Sequence, residues 1–157
     1  SAAEGETVYS TFIEVPEDLH FAVVVPEILV STEYARSVLP QHVPYKEAIS
    51  NVAHASLFVS SMITGQLDNL KIALCDYLHV PYRKALIPHC DQAFAAARQE
   101  GAYGATISGS GSTLIAYCTS STVEAVAKAM GRVYQEAGLD HHVYCLKADS
   151  QGAKVID

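Results

Sequence analysis

Glycine and serine alternate in one short stretch between two apolar runs, Gly104-Ala-Thr-Ile-Ser108-Gly109-Ser110-Gly111-Ser112-Thr113. Two of these glycines, Gly109 and Gly111, let the backbone adopt a positive φ and approach a ligand closely. Amide groups in such a turn can converge on an anion, and the serine hydroxyls add small donors and acceptors. The stretch therefore predicts an anion-binding loop, and a plain β-hairpin turn is the alternative.

The better-known glycine motifs do not fit this stretch. Gly104 and Gly109 have the spacing of the two P-loop glycines, but Ser110 stands where the lysine is needed. Leu114 occupies the third glycine position of the dinucleotide-binding fingerprint. Ser110 has serines rather than glycines as its second neighbours, which excludes a hydrolase nucleophile elbow.

Two of the four arginines, Arg36 and Arg83, lie at predicted element boundaries beside proline turns. A guanidinium group can hold a carboxylate with a planar pair of hydrogen bonds. These two residues are therefore candidates for binding a small anion. The alternative is that each is a solvated surface residue or a helix-end cap.

Histidine, cysteine and acidic residues form no pattern that predicts a metal centre or a nucleophile. His141 and His142 are adjacent on a predicted strand, so their side chains point to opposite faces. The four cysteines are widely spaced, and a thiol nucleophile at Cys75 or Cys90 has no other support in the sequence. We assign no catalytic residue and no protein-only metal site to this chain.

Size and composition limit the class of protein. The 157 residues fit one globular domain, and half of them are apolar. The net charge of −7, with only ten lysines and arginines, argues against nucleic acid as a partner. We expect no membrane segment, and the scattered cysteines indicate a reduced, cytoplasmic protein.

The first half of the chain predicts two strands followed by helices. Strands are expected over 7–15 and 19–26, and a short helix capped by Ser31 stops before Pro40. A longer helix over 44–64 shows a stripe that we expect to be buried. The stripe consists of Ala48, Val52, Ala55, Val59 and Met62, widened by Ile49 and Ile63. A shorter helix is predicted over 67–78, and Pro81 prevents it from continuing. The segment Pro81-Tyr-Arg83 is predicted to be a polar link.

The second half predicts a helix over 88–99, the glycine hairpin, a helix and a last strand. Ser121 and Glu124 fit a capping box for the helix that ends near Ala137. Strands are expected over 141–147 and, as a short addition, 152–156. This order favours an α+β two-layer sandwich, with helices on one face of an antiparallel sheet, near the ferredoxin-like split βαβ pattern.

Three segments in this order resemble the C-terminal half of the homoserine kinases, a family of the GHMP small-molecule kinases. They are Ser31-Thr-Glu-Tyr-Ala-Arg36, Leu78-His-Val-Pro-Tyr-Arg83 and Gly104-Ala-Thr-Ile-Ser-Gly-Ser-Gly-Ser112. The resemblance covers most of the chain and implies that residues 1–157 form a single GHMP kinase C-terminal domain. It implies phosphorylation of the L-homoserine hydroxyl by ATP with Mg²⁺, which gives O-phospho-L-homoserine for threonine biosynthesis.

The resemblance also implies roles for individual residues. Arg36 and Arg83 would hold the homoserine carboxylate, and Thr32 would lie near the reacting groups. The turn Ser108–Ser112 would close over the substrate and phosphate site. These roles agree with the chemistry expected above for the two arginines and the glycine turn.

The family's ATP-phosphate loop and magnesium-binding residues belong to its N-terminal half, which we do not find in this sequence. We therefore expect the chain to be a C-terminal portion that is inactive alone, with ATP and Mg²⁺ bound mainly by the missing half. A homodimer is possible. The alternatives are another GHMP small-molecule kinase and a non-catalytic, amino-acid-binding regulatory domain.

Overall fold

The computed structural model describes residues 2–5, 7–152 and 155. Its strands are β1 (Ala2–Glu4), β2 (Thr7–Tyr9), β3 (Leu19–Pro26), β4 (Gly104–Ile107), β5 (Leu114–Thr119) and β6 (His141–Lys147). Its α-helices are α1 (Thr32–Ser37), α2 (Tyr45–Thr64), α3 (Leu70–Ala73), α4 (Val80–Arg83), α5 (Cys90–Gln99) and α6 (Val123–Glu136). Short 3₁₀ turns over Leu67–Asn69 and Lys84–Leu86 precede α3 and follow α4.

Four strands form an antiparallel sheet in the order β4-β5-β3-β6. Helix α5 precedes β4, and α6 connects β5 to β6, which is the split βαβ arrangement predicted from the element order. The α+β prediction is therefore confirmed. The connection from β3 to α5 is long, and it carries α1, α2, α3 and α4.

One face of the sheet packs against α5 and α6 and forms the main core. Alternate residues of β3 and β5 point to this face, because successive side chains of a strand point to opposite sides. The residues of this core that the structure leaves no more than 2% exposed include Ala22, Val24, Leu114, Ala116, Ala93, Val126, Met130 and Tyr134. Burial of each large side chain contributes about 1.5–3 kcal/mol.

The other face of the sheet meets α2 and α3 at one end only. Phe58 of α2 makes an edge-to-face contact with Tyr117, with ring centroids 5.9 Å apart. Met62 joins the same apolar cluster as Leu19 and Phe21. Tyr144 and Leu146 of β6 remain about half exposed beyond it.

A close helix–strand contact explains one glycine in α6. A Cβ atom on Gly131 would lie 2.8 Å from Cγ2 of Val143. Val143 is β-branched and cannot rotate away easily. We expect Gly131→Ala to lower the free energy of unfolding by about 1–2 kcal/mol, although alanine has the higher helix propensity. Urea unfolding measures this, and adding Val143→Ala should restore part of the loss. A Gly131→Ala protein more stable than the parent would contradict the contact.

Several predicted element boundaries are wrong. The strand predicted over 7–15 is limited to Thr7–Tyr9, which pairs with Ala2–Glu4, and residues 10–15 pair with no strand in the part of the chain that the structure describes. The helix predicted over 67–78 ends at Ala73. The predicted polar link is helix α4, because Pro81 occupies its first turn, where a missing amide hydrogen costs nothing.

Two local predictions fail and one lies outside the described residues. The capping box at α6 does not form, because Thr122 is the N-cap and its hydroxyl accepts from the amide of Thr119 instead. The apolar face predicted for α2 is mostly exposed: Met62 is buried, but Ile49, Val52, Val59 and Ile63 are 44–68% exposed. The predicted short strand over 152–156 lies mostly outside the described residues.

Candidate functional site

Helix α1 begins as the sequence predicts. The hydroxyl of Ser31 accepts a hydrogen bond from the amide of Tyr34 at 3.1 Å, which caps the helix. Thr32 is therefore the first helical residue, and its side chain is exposed. Arg36 lies in the last turn of the same helix and is also exposed, so its guanidinium is accessible to a ligand.

The glycine turn joins β4 to β5. The amide of Ser108 donates to the carbonyl of Thr113 at 2.8 Å, and the amide of Gly111 donates to the carbonyl of Ser108 at 3.2 Å. Gly109 and Gly111 have φ angles of 62° and 103°, so both need glycine. The hydroxyl of Ser112 donates to the carbonyl of Pro26 at 3.1 Å. The turn is thereby fixed to the end of β3.

Helix α1, helix α4 and the glycine turn meet through three hydrogen bonds. The hydroxyls of Thr32 and Ser110 are 3.3 Å apart. Arg83 donates from Nε to the carbonyl of Ala35 at 2.9 Å and from a terminal nitrogen to the carbonyl of Gly109 at 3.1 Å. Arg83 thus connects the helix that carries Arg36 to the glycine turn. Its remaining guanidinium N–H groups take no part in these two hydrogen bonds.

One residue that the sequence analysis missed supports Arg83. The side chain of Asp76 is 16% exposed, and its Oδ2 accepts hydrogen bonds from the amides of His79 and Val80 at 2.8 and 2.7 Å. It therefore satisfies the first amides of α4, the helix that ends at Arg83. An acid a few residues before Pro81 is a signal that could have identified this cap.

Helix α2 contacts the loop that carries Asp76. The side-chain carbonyl of Asn51 accepts from the amide of Tyr77 at 2.9 Å. His54 donates from Nδ1 to the carbonyl of Cys75 at 2.9 Å, and its ring stacks on Tyr77 with centroids 5.8 Å apart. A continuous set of contacts therefore runs from α2 through this loop to α4 and the site.

The described residues hold no cluster of three or more histidine, cysteine or acidic side chains suited to a metal ion. No helix in the part of the chain that the structure describes is long and apolar enough to cross a membrane.

Two of the cysteines are chemically inert in the folded chain. Burial raises the pKa of Cys90 to about 12 and that of Cys118 to about 11. At pH 8, on the order of one Cys90 in ten thousand is then a thiolate. We expect iodoacetamide to modify the exposed Cys75 and to leave Cys90 and Cys118 unmodified until urea unfolds the chain. Peptide mass spectrometry measures this, and fast labelling of Cys90 would contradict the burial.

The fold and the glycine turn define a class of protein. The chain belongs to the GHMP kinases, because the family model described as "GHMP kinases C terminal" matches residues 58–136, half of the chain. The match includes the second of the three motif segments and the glycine turn.

Individual relatives are named homoserine kinase. A homoserine kinase of Caldanaerobacter subterraneus is 38% identical over 99% of this chain and 50% of its own length. One of Nostoc punctiforme is 46% identical over 88% of this chain and 45% of its own length. The crystal structure of homoserine kinase from Cytophaga hutchinsonii superposes with a TM-score of 0.89 at 27% identity, over 93% of this chain and 47% of that one. The chain spans about half the length of the relatives it matches, and it matches their C-terminal half.

Proposed function

We propose that this chain is the C-terminal domain of a homoserine kinase, which transfers the γ-phosphate of ATP to the side-chain hydroxyl of L-homoserine. The proposed product is O-phospho-L-homoserine, a precursor in threonine biosynthesis. We propose further that residues 1–157 form one domain and that it is inactive alone. The sequence similarity to proteins named homoserine kinase supports the substrate, and the geometry below supports the way it is bound.

The observation that carries the proposal is the convergence of three distant segments on one exposed site. Thr32 and Ser110 are 78 positions apart in the chain, yet their hydroxyls form a hydrogen bond. Arg83 bonds to Ala35 and Gly109 from a third segment. One cation, two hydroxyls and a glycine turn meet here, and Arg36 adds a second exposed cation on the helix that carries Thr32. This combination suits a small anionic substrate next to a phosphate group.

In this proposal the two arginines bind the substrate carboxylate. Arg36 is exposed on α1, and Arg83 has donors beyond those used for Ala35 and Gly109. A planar guanidinium orients a carboxylate as well as attracting it, so the amino acid is held with its hydroxyl in one place. Thr32 lies beside the turn, within hydrogen-bond distance of Ser110, and in this proposal it contacts the reacting groups. The turn itself closes over the substrate and phosphate.

ATP and Mg²⁺ are implied by the family, and the residues described here fit only part of that requirement. The backbone of the turn Ser108–Ser112 suits a phosphate oxygen. The side chains joined at the site do not suit Mg²⁺, which prefers carboxylate oxygens, because they are hydroxyls and a guanidinium. We therefore assign the metal ligands and most of the ATP site to the other half of the protein, and no step is derived through the metal.

A phosphorylation assay tests the proposal. ATP, Mg²⁺ and L-homoserine are supplied to this chain alone and to the longer protein, in which the chain is extended upstream as in its relatives. We expect ADP formation only with the longer protein. A cytoplasmic location and a homodimer remain part of the proposal.

Other outcomes would favour the alternatives. Turnover of a carboxylate-free alcohol in preference to L-homoserine would indicate another GHMP kinase, because the paired arginines would then have no carboxylate to bind. Binding of L-homoserine without turnover by the longer protein would indicate a regulatory domain. Turnover by the chain alone would contradict the assignment of the ATP site to the missing half.

A further inference from the structure

One side of α2 carries apolar side chains that point to solvent. We call it the α2 stripe, and it consists of Tyr45, Ile49, Val52, Val59 and Ile63. The spacing of four, three, seven and four residues places them on one face of the helix. Their exposed fractions lie between 44% and 81%. Together they expose on the order of 500 Å² of apolar surface, which is at the upper end for a monomer and marks an interaction site.

The residues around the stripe lack the charges of a solvated helix. No aspartate, glutamate, lysine or arginine occurs over 48–64, and Ser56 fills the one gap in the stripe. A helix that faces water on its outer side carries charged residues there. Charged residues are instead depleted at the centre of protein interfaces. The composition of α2 is thus typical of a helix that is covered on this side as well.

We propose that the α2 stripe is the docking surface for a helix in the other half of the longer protein. The chain spans half the length of its relatives, so a second part of similar size is available as the occupant. A stripe with steps of four and three residues presents the ridge that packs against another helix. It extends over about five turns, or roughly 27 Å, which a helix of ordinary length can match.

The size of the stripe favours this occupant over a second copy of the chain. A stable dimer buries about 800 Å² per partner, which is more than the stripe offers. Two parts of one polypeptide need less, because the covalent connection supplies a high effective concentration. Interfaces between domains of one chain begin at about 600 Å² in total.

Docking on this surface would also support the proposed site. Asn51 and His54, on α2, hold the loop that contains Asp76 through hydrogen bonds to Tyr77 and Cys75. Asp76 in turn caps the helix that carries Arg83. A helix that fixes α2 therefore restricts the position of Arg83 without touching it. The inference rests on the proposal that this chain is one part of a longer protein and on the exposed stripe, and not on the kinase activity.

Cysteine labelling tests the proposal with a matched control. Val52→Cys places a thiol in the stripe, and Ile72→Cys places one on α3 at a similar exposure, 57% against 68%. Each variant is made in this chain and in the longer protein and treated with a maleimide, and peptide mass spectrometry follows the two sites. We expect labelling at position 52 to be at least tenfold slower in the longer protein. Labelling at position 72 should differ less than twofold.

Three results would overturn the proposal. The first is equal labelling of position 52 in both proteins. The second is protection of position 52 in this chain alone that increases with protein concentration, together with a dimer in sedimentation; this would identify a second copy as the occupant. The third is unchanged hydrogen exchange over 48–64 between the unsubstituted proteins, a measurement that needs no variant. None of these assays contains ATP or homoserine. If the proposed kinase activity proved wrong, the labelling and exchange results would still test the docking surface.

Discussion

Arg83→Ala is expected to lower kcat/KM for L-homoserine by about 100- to 1,000-fold in the longer protein. The change removes two hydrogen bonds from a charged donor, to the carbonyls of Ala35 and Gly109, and these together correspond to about 3–4 kcal/mol. It also removes one of the two groups proposed to bind the substrate carboxylate. A coupled assay for ADP measures the effect over a range of homoserine concentrations.

Two further variants separate the roles of Arg83. Lysine keeps the positive charge but lacks the planar guanidinium that donates to Ala35 and Gly109 at the same time. Arg83→Lys should therefore still attract the substrate carboxylate but no longer hold the glycine turn in position. We expect it to lower kcat more than it raises KM. Arg98→Ala removes an exposed arginine of α5 that lies outside the site, and its activity should stay within twofold of the parent. Equal activity of Arg83→Ala and Arg98→Ala would contradict the assigned role.

Asp76→Ala should release the start of α4 and displace Arg83 without removing it. The carboxylate accepts from the amides of His79 and Val80, and its loss leaves both without these acceptors. We expect a cost of about 2–3 kcal/mol, because hydrogen bonds to charged groups are the stronger ones. Hydrogen exchange of the His79 and Val80 amides should accelerate by about 30- to 150-fold, and this is measurable in the chain alone.

The controls for Asp76 are a conservative change and a distant one. Asp76→Asn keeps an oxygen acceptor, so it should retain most of the amide protection. Asp68→Ala removes an exposed carboxylate that pairs only with Lys71 among the contacts described, and it should not change exchange at α4. Unchanged hydrogen exchange of the His79 and Val80 amides in Asp76→Ala would contradict the prediction, because water would then replace the carboxylate without loss of local stability.

The local parts of the site could be predicted from the sequence because they depend on neighbouring residues. Ser31 caps α1 through a contact three positions away, and Gly109 and Gly111 mark a turn by their backbone freedom. Arginine chemistry indicated Arg36 and Arg83 as candidates for binding an anion, and the resemblance added Thr32 and the role of each residue. The bonds from Arg83 to the carbonyls of Ala35 and Gly109 could not be predicted, because backbone acceptors carry no sequence signal.

The failed predictions have physical causes of a different kind. The apolar spacing of α2 was interpreted as a buried face, yet periodicity shows only that a face is apolar and not what covers it. Val52 and Val59 accordingly lie exposed. The strand predicted over 7–15 forms only over Thr7–Tyr9, because residues 10–15 find no neighbouring strand among the described residues. Both edges of β3 are already paired, with β5 and β6.

The position of β3 in the sheet has a consequence for synthesis of the protein. β3 is the first strand of the four in the chain, but it pairs with β5 and β6, which are translated about 90 and about 120 residues later. Translation proceeds at roughly 5–20 residues per second, so the apolar run Phe21-Ala-Val-Val-Val25 remains without its neighbouring strands for several seconds or longer during synthesis. Such a run has the composition of aggregation-prone segments. Growth at lower temperature or an added chaperone should therefore increase the yield of folded protein by protecting this strand.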